Sequence, residues 1–202
     1  MKISDSVERI DNTMANSYVI RKNGHIVLVD AGTKGTGKRI IRYFMERNEK
    51  PDFVLITHYH LDHIGGLKQI VDKFSPKVLV PPEELNVITG KEKASPANSF
   101  MSKMVSAMTR VEAVGDVKST TDLSIDGITA VDTHGHTPGS TSYYLEDEGM
   151  LFVGDALTNR GGKLMINRGF TLDLKEAEKS REKILGFSGT TILPGHGDPL
   201  KI

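Results

Sequence analysis

The chain of 202 residues is about the size of one large domain, and a single domain over residues 1–202 with a substantial buried core is expected. Hydrophobic residues make up 38% and charged residues 26%, ordinary globular values that disfavour disordered and fibrous classes. Lysine plus arginine total 26, as do aspartate plus glutamate, so the formal net charge is zero and nothing steers the chain toward nucleic acid or an acidic membrane.

The opening Met1-Lys2-Ile3-Ser4-Asp5 has no apolar core after its positive charge and does not read as a secretory signal, and no apolar stretch approaches bilayer length. A cytoplasmic protein is the default. Asn23-Gly24 between Tyr18-Val19-Ile20 and Ile26-Val27-Leu28-Val29 predicts two strands joined by a tight hairpin, which delivers Asp30 to a loop. A helix is expected from Thr36 or Gly37, with Ile40, Ile41 and Phe44 on its buried face and Pro51 beyond its end. Phe53-Val54-Leu55-Ile56 reads as a buried strand, and Ile64, Leu67, Ile70, Val71 and Phe74 recur at helical spacing. Lys77-Val78-Leu79-Val80 gives another strand. Ser95-Pro96 predicts a helix start, followed by the apolar stripe Phe100, Met101, Met104, Val105 and Met108. That stripe packs on the domain or on a second copy as a homodimer, or else shapes a pocket, since methionine adapts to varied apolar ligands.

In the second half, Ile128-Thr129-Ala130-Val131, Thr141-Ser142-Tyr143-Tyr144-Leu145 and Leu151-Phe152-Val153 read as strands. Asp173, with Glu176 three residues on, caps a helix that runs through Leu185 and stops near Gly186. Thr190-Thr191-Ile192-Leu193 is the last strand. The pattern by itself argues for mixed α and β structure.

The run Thr57-His58-Tyr59-His60-Leu61-Asp62-His63 places three imidazoles and a carboxylate within six residues, more ligand density than a fold needs. Residues two apart in extended chain point the same way, so His58 and His60 reach one ion, while the following turn aims Asp62 and His63 at a neighbouring point. Further donors stand in similar turns at strand ends: His136 in Gly135-His136-Thr137-Pro138-Gly139-Ser140, Asp155 after Gly154, and His196 in Pro194-Gly195-His196-Gly197. The chain has no cysteine, so metal ligands are limited to nitrogen and oxygen. Ser140 and Thr137 are better explained by turn chemistry than as nucleophiles.

Taken in order, Asp30, His58-x-His60-x-Asp62-His63, His136, Asp155 and His196 resemble the five motifs of the metallo-β-lactamase superfamily, over nearly the whole chain. The resemblance implies an α+β fold, a four-layer αββα sandwich with metals at one edge. It implies that His58, His60 and His136 hold one metal, that Asp62, His63 and His196 hold a second, and that Asp155 bridges them. Asp30 would then orient neighbouring loops through hydrogen bonds. His134 and His25 match no motif; the first is expected near the site or on the surface and the second in solvent.

Zinc suits imidazole and carboxylate and is redox-silent, so two Zn2+ ions in this ligand set make a hydrolytic centre, with iron or manganese accepting the same donors. The expected reaction is attack by a metal-bound hydroxide on a small-molecule ester, thioester or lactone, with Asp62 orienting the nucleophile and taking up a proton. The second motif followed by Gly65-Gly66 is similar to that of glyoxalase II-type hydrolases. Those proteins carry a carboxy-terminal helical extension that grips glutathione, whereas this chain stops within a few residues of Gly197, which argues against glutathione thioesters. Arg160, Lys163 and Arg168 are either surface charge or a receiver for a substrate carboxylate. Two alternatives stand beside hydrolysis: a mononuclear iron persulfide dioxygenase, which retains similar motifs, and a non-catalytic metal-binding relative.

Overall fold

The computed structural model describes residues 1–11, 13–96, 103 and 112–202. Short apolar runs, buried on both faces, form the central strands of two sheets. The first has six strands in the order β1 (Val7–Ile10), β2 (Ser17–Lys22), β3 (His25–Val29), β4 (Phe53–Leu55), β5 (Lys77–Val80) and β6 (Val117–Ser119). The second contains β7 (Ile128–Asp132), β8 (Thr141–Leu145), β9 (Met150–Gly154), β12 (Thr191–Pro194) and β13 (Leu200–Lys201) in the order β13-β12-β9-β8-β7. A separate hairpin pairs β10 (Thr158–Arg160) with β11 (Lys163–Met165).

Along each central strand, neighbouring side chains enter different layers because successive Cβ atoms point to opposite faces. Val27, Val29 and Leu55 of the first sheet meet Tyr143, Phe152 and Leu193 of the second, and Tyr18 and Phe152 pack edge to face with centroids 5.3 Å apart. Leu28, Val54 and Ile56 point the other way, onto Ile40 and Phe44 of helix α1 (Lys34–Glu46) and Leu67 and Ile70 of helix α3 (Leu67–Phe74). Leu151, Val153 and Ile192 likewise leave the inter-sheet core to pack on Ile184, in the carboxy-terminal helix Leu174–Leu185. The result is the αββα sandwich. No helix among the described residues is long and apolar enough to cross a membrane.

Local chemistry explains most boundaries. Asn23 and Gly24 both have positive φ, the geometry of a two-residue hairpin turn that matches strand twist. Helix α1 starts at Lys34, earlier than Thr36 or Gly37, because the Thr33 side chain accepts the Thr36 N–H and caps the turn there. Asp173 accepts from both Lys175 and Glu176 N–H, and the helix it starts closes at Gly186 as the sequence predicts. Before α3 comes a separate four-residue turn of helix, α2 (Leu61–Ile64), joined to it through Gly65-Gly66. Phe100, Met101, Met104, Val105 and Met108 lie outside the described residues.

Candidate metal centre

The sandwich gathers the motif residues at the carboxyl ends of its central parallel strands, the usual crevice for ligands in such sheets. β3 and β4 run parallel in register Val29 to Leu55, so Asp30 and the loop carrying His58 emerge side by side. β9 and β12 are also parallel, with Pro194 opposite Gly154, which places Asp155 beside the His196 turn. The His136 turn joins β7 to β8, and Thr141 N–H donates to Thr57 O at 3.0 Å, tying it to the first sheet.

All seven expected donors converge. His60 Nδ1 lies 3.1 Å from His58 Nε2 and 2.9 Å from His136 Nε2. Four-coordinate zinc with nitrogen at about 2.0–2.1 Å sets such atoms about 3.3 Å apart. On the other side, His196 Nε2 lies 3.1 Å from Asp62 Oδ2, and His63 Nε2 is 4.0 Å from that same oxygen. Asp155 stands between the two groups: Oδ1 is 3.3 Å from His63 Nε2, and Oδ2 is 3.7 Å from His136 Nε2 and 3.5 Å from His196 Nε2.

Asp30 decides which ring nitrogens face inward. Its φ of 60° turns a buried carboxylate back toward the motif loop, where Oδ1 accepts Thr57 N–H at 2.8 Å and Oδ2 accepts both Thr57 Oγ1–H at 2.8 Å and His63 Nδ1–H at 2.7 Å. Thr57 Oγ1, its proton committed to Asp30, accepts from His58 Nδ1–H at 3.0 Å. Both rings therefore turn Nε2 inward. In this geometry His63 Nε2 and Asp155 Oδ1 are buried without a hydrogen bond, although they face each other. A cation between them satisfies both, so the donor set fits a bound metal.

The electrostatics agree. Burial drives His58 well below the ordinary histidine range, reinforced by the charges of neighbouring rings. Burial also lowers His136 to about 3, with His60 adding to it. Both rings are therefore neutral near pH 7, the form in which an imidazole can bind a metal. Burial works against charge on His63, but Asp30, Asp155 and Asp62 outweigh it and raise this histidine, marking a point where the protein demands positive charge. Burial alone would raise Asp62, yet His63 and the hydrogen bond from His196 hold it down to about 2, so it is ionised at neutral pH.

His134 stands apart from this cluster. Its Nε2 pairs with Asp132 Oδ1 at 3.1 Å on the partly exposed far side of the turn. His25 is exposed beside Phe53. Thr137 and Ser140 are buried within the His136 turn, with Thr137 N–H donating to Ser140 Oγ at 2.9 Å. A cavity of about 1290 Å³ opens over the centre, with Tyr59, Met14, Val87 and Phe170 on its walls and Asp62, Asp155 and His196 at its base. Of the three cations flagged in the sequence only Arg160 lines it, while Arg168 lies 3.6 Å from Glu178.

Comparison with known proteins matches residues 10–196 to the family model described as the metallo-beta-lactamase superfamily. The chain belongs to this superfamily. It is 30% identical over 187 residues to the probable metallo-hydrolase YqgX of Bacillus subtilis, covering 91% of this chain and 85% of that one. A hydroxyacylglutathione hydrolase of Klebsiella pneumoniae is 30% identical over 139 residues, taking in 69% of this chain and 45% of the relative. Among solved structures, the BLEG-1 B3 metallo-beta-lactamase superposes with a TM-score of 0.73 at 26% identity, over 96% of this chain and 92% of that one.

Two contributors escape sequence reasoning. Asn16 Nδ2 donates to Pro194 O at 2.9 Å and Gly197 O at 2.7 Å, holding the His196 turn from 178 and 181 residues away. Glu84 is a fully buried carboxylate wedged between the motif loops. Nothing local marks either residue, because their partners are distant in sequence.

Proposed function

We propose that the protein is a binuclear metal-dependent hydrolase acting on a small ester, thioester or lactone. His58, His60 and His136 hold one ion, Asp62, His63 and His196 hold the other, and Asp155 is shared. The observation that carries this reading is the orphaned pair His63 Nε2 and Asp155 Oδ1, 3.3 Å apart and unbonded, with a triad of inward-facing imidazole nitrogens across Asp155 from it. Zinc is the favoured metal for this nitrogen and oxygen donor set. When bound, the ions supply a water acidified to near pH 7 and an electrophile for the substrate oxygen.

The chain's own groups do the rest. Asp62 is ionised and lines the cavity, which suits it to accept a hydrogen bond from the attacking water, to take up the proton that water releases and to hand it to the departing alkoxide or thiolate. Tyr59, Val87 and Phe170 offer an apolar wall to an acyl chain, and Arg160 offers a guanidinium to an anionic end. The hydroxyacylglutathione hydrolase relative supports acyl hydrolysis as the reaction class.

The test is elemental analysis of the purified and reconstituted protein together with turnover on a small panel of thioester, lactone and phosphodiester substrates. Two zinc ions with turnover of the acyl substrates is the expected result. One iron per chain with oxygen consumption on a persulfide moves the assignment to the dioxygenase reading. Failure to bind any ion after reconstitution refutes both.

A further inference from the structure

Glu84 is fully buried at the end of a short turn, Pro82–Glu84, and supplies no ligand to the cluster. Three donors converge on its carboxylate. Oε2 accepts Tyr59 N–H at 2.8 Å, while Oε1 accepts Thr137 Oγ1–H at 2.7 Å and Gly139 N–H at 2.8 Å. Tyr59 lies between His58 and His60, and Thr137 follows His136. One carboxylate thus bonds both loops that bear the first triad, one loop from each sheet.

The surrounding sequence is shaped to this contact. A Cβ on Gly139 would stand 2.6 Å from Glu84 Cγ and 2.7 Å from Oε1, so only glycine lets the His136 turn approach the carboxylate this closely. All three partners present hydrogens to Glu84, which an ionised carboxylate satisfies and an amide does not. A glutamine at this position must turn its NH2 toward either Tyr59 N–H or Gly139 N–H, so one loop loses its bond whichever way the amide lies.

We propose that Glu84 is a positioning residue for the first metal site: it fixes the separation of the His58/His60 loop and the His136 loop, and thereby sets that site's affinity. This rests on the three histidines forming a metal site. Metal ligands must lie within about 0.2 Å of their ideal distances, so loops released from a common anchor must be ordered at the expense of binding. Loss of such supporting partners typically lowers metal affinity about 10–100-fold.

The experiment is titration of Zn2+ against a competing chromophoric chelator, comparing wild type with Glu84→Gln and Thr137→Val, alongside thermal unfolding of each chelated protein and NMR of the histidine rings in the zinc-loaded state. Glu84→Gln should weaken one of the two sites about 10–100-fold and shift the rings of His58, His60 and His136 while sparing His63 and His196. Thr137→Val, which removes one of the three bonds, should give a smaller loss in the same direction, and the double variant should lose no more than Glu84→Gln alone. If Glu84→Gln does not fold, the Thr137→Val titration and ring shifts carry the same test. Unchanged affinity, an equal loss at both sites, or unmoved ring signals overturns the proposal. A wild-type protein that binds no zinc overturns the metal reading as well, which separates the two failures.

Discussion

Replacing Gly195 with alanine puts a methyl group into the ligand cluster. Its Cβ would stand 2.5 Å from Asp155 Oδ1 and 2.6 Å from His63 Cε1. Gly195 is outside the left-handed region, so alanine is compatible with the backbone and the clash is the whole perturbation. The backbone has little room to yield, because Gly195 N–H donates to Gly154 O and Gly195 O accepts Asn16 N–H, both at 2.7 Å. Reaching an ordinary contact of 3.4 Å requires the carboxylate oxygen to retreat by about 0.9 Å. That is several times the roughly 0.2 Å a metal ligand tolerates, so Asp155 could not hold the bridging place proposed for it. Overpacking of this kind costs about 1–3 kcal/mol of stability, a fall of roughly 2–12 °C in melting temperature for a domain this size. The expected outcome is a folded protein that loses at least one equivalent of zinc in equilibrium dialysis. Gly115→Ala, where a new Cβ meets nothing within 4 Å, is the control and should bind zinc as wild type does. Two zinc ions held by Gly195→Ala at wild-type affinity would refute the reasoning.

Asp62→Asn should leave the fold intact and lower hydrolysis at least about a hundredfold, read as the single-turnover rate with metal content measured on the same sample; near-normal turnover with two ions bound rules out its role as proton acceptor. Phe44→Ala removes a fully buried ring that packs edge to face on Phe74 at 5.9 Å, in the helix layer away from the cluster. It should cost about 3–5 kcal/mol in chemical denaturation while zinc affinity of the folded protein stays at the wild-type value, and a loss below about 1 kcal/mol would mean that this layer is not well packed.

The central strands and the ligand run were legible because each carries its own signal. Phe53-Val54-Leu55 is an unbroken apolar run, Asn23-Gly24 fixes a hairpin by its φ preference, and Asp173 announces a helix by its cap. The His58 to His63 run and the turns around His136, Asp155 and His196 draw attention through residue types that a core does not need. What the sequence reading passed over has weak or remote signals. Val7–Ile10 carries two charges in four residues, and Val117–Ser119 is a short edge strand with no fully buried residue. The β10-β11 hairpin turns on Gly161-Gly162, but its strands are three residues each and largely exposed, so no apolar run flanks the turn. Glu84 follows Pro81-Pro82-Glu83 and looks like surface charge, since its partners lie 25, 53 and 55 residues away. Asn16 is hidden for the same reason.

The most direct test of the central claim is anomalous X-ray diffraction from zinc-loaded crystals. Two zinc peaks about 3.5–4 Å apart are predicted, one among His58, His60 and His136, the other among Asp62, His63 and His196, with Asp155 contacting both. A single peak after loading with excess zinc, or two peaks with His196 or Asp62 turned away from them, would contradict the binuclear account.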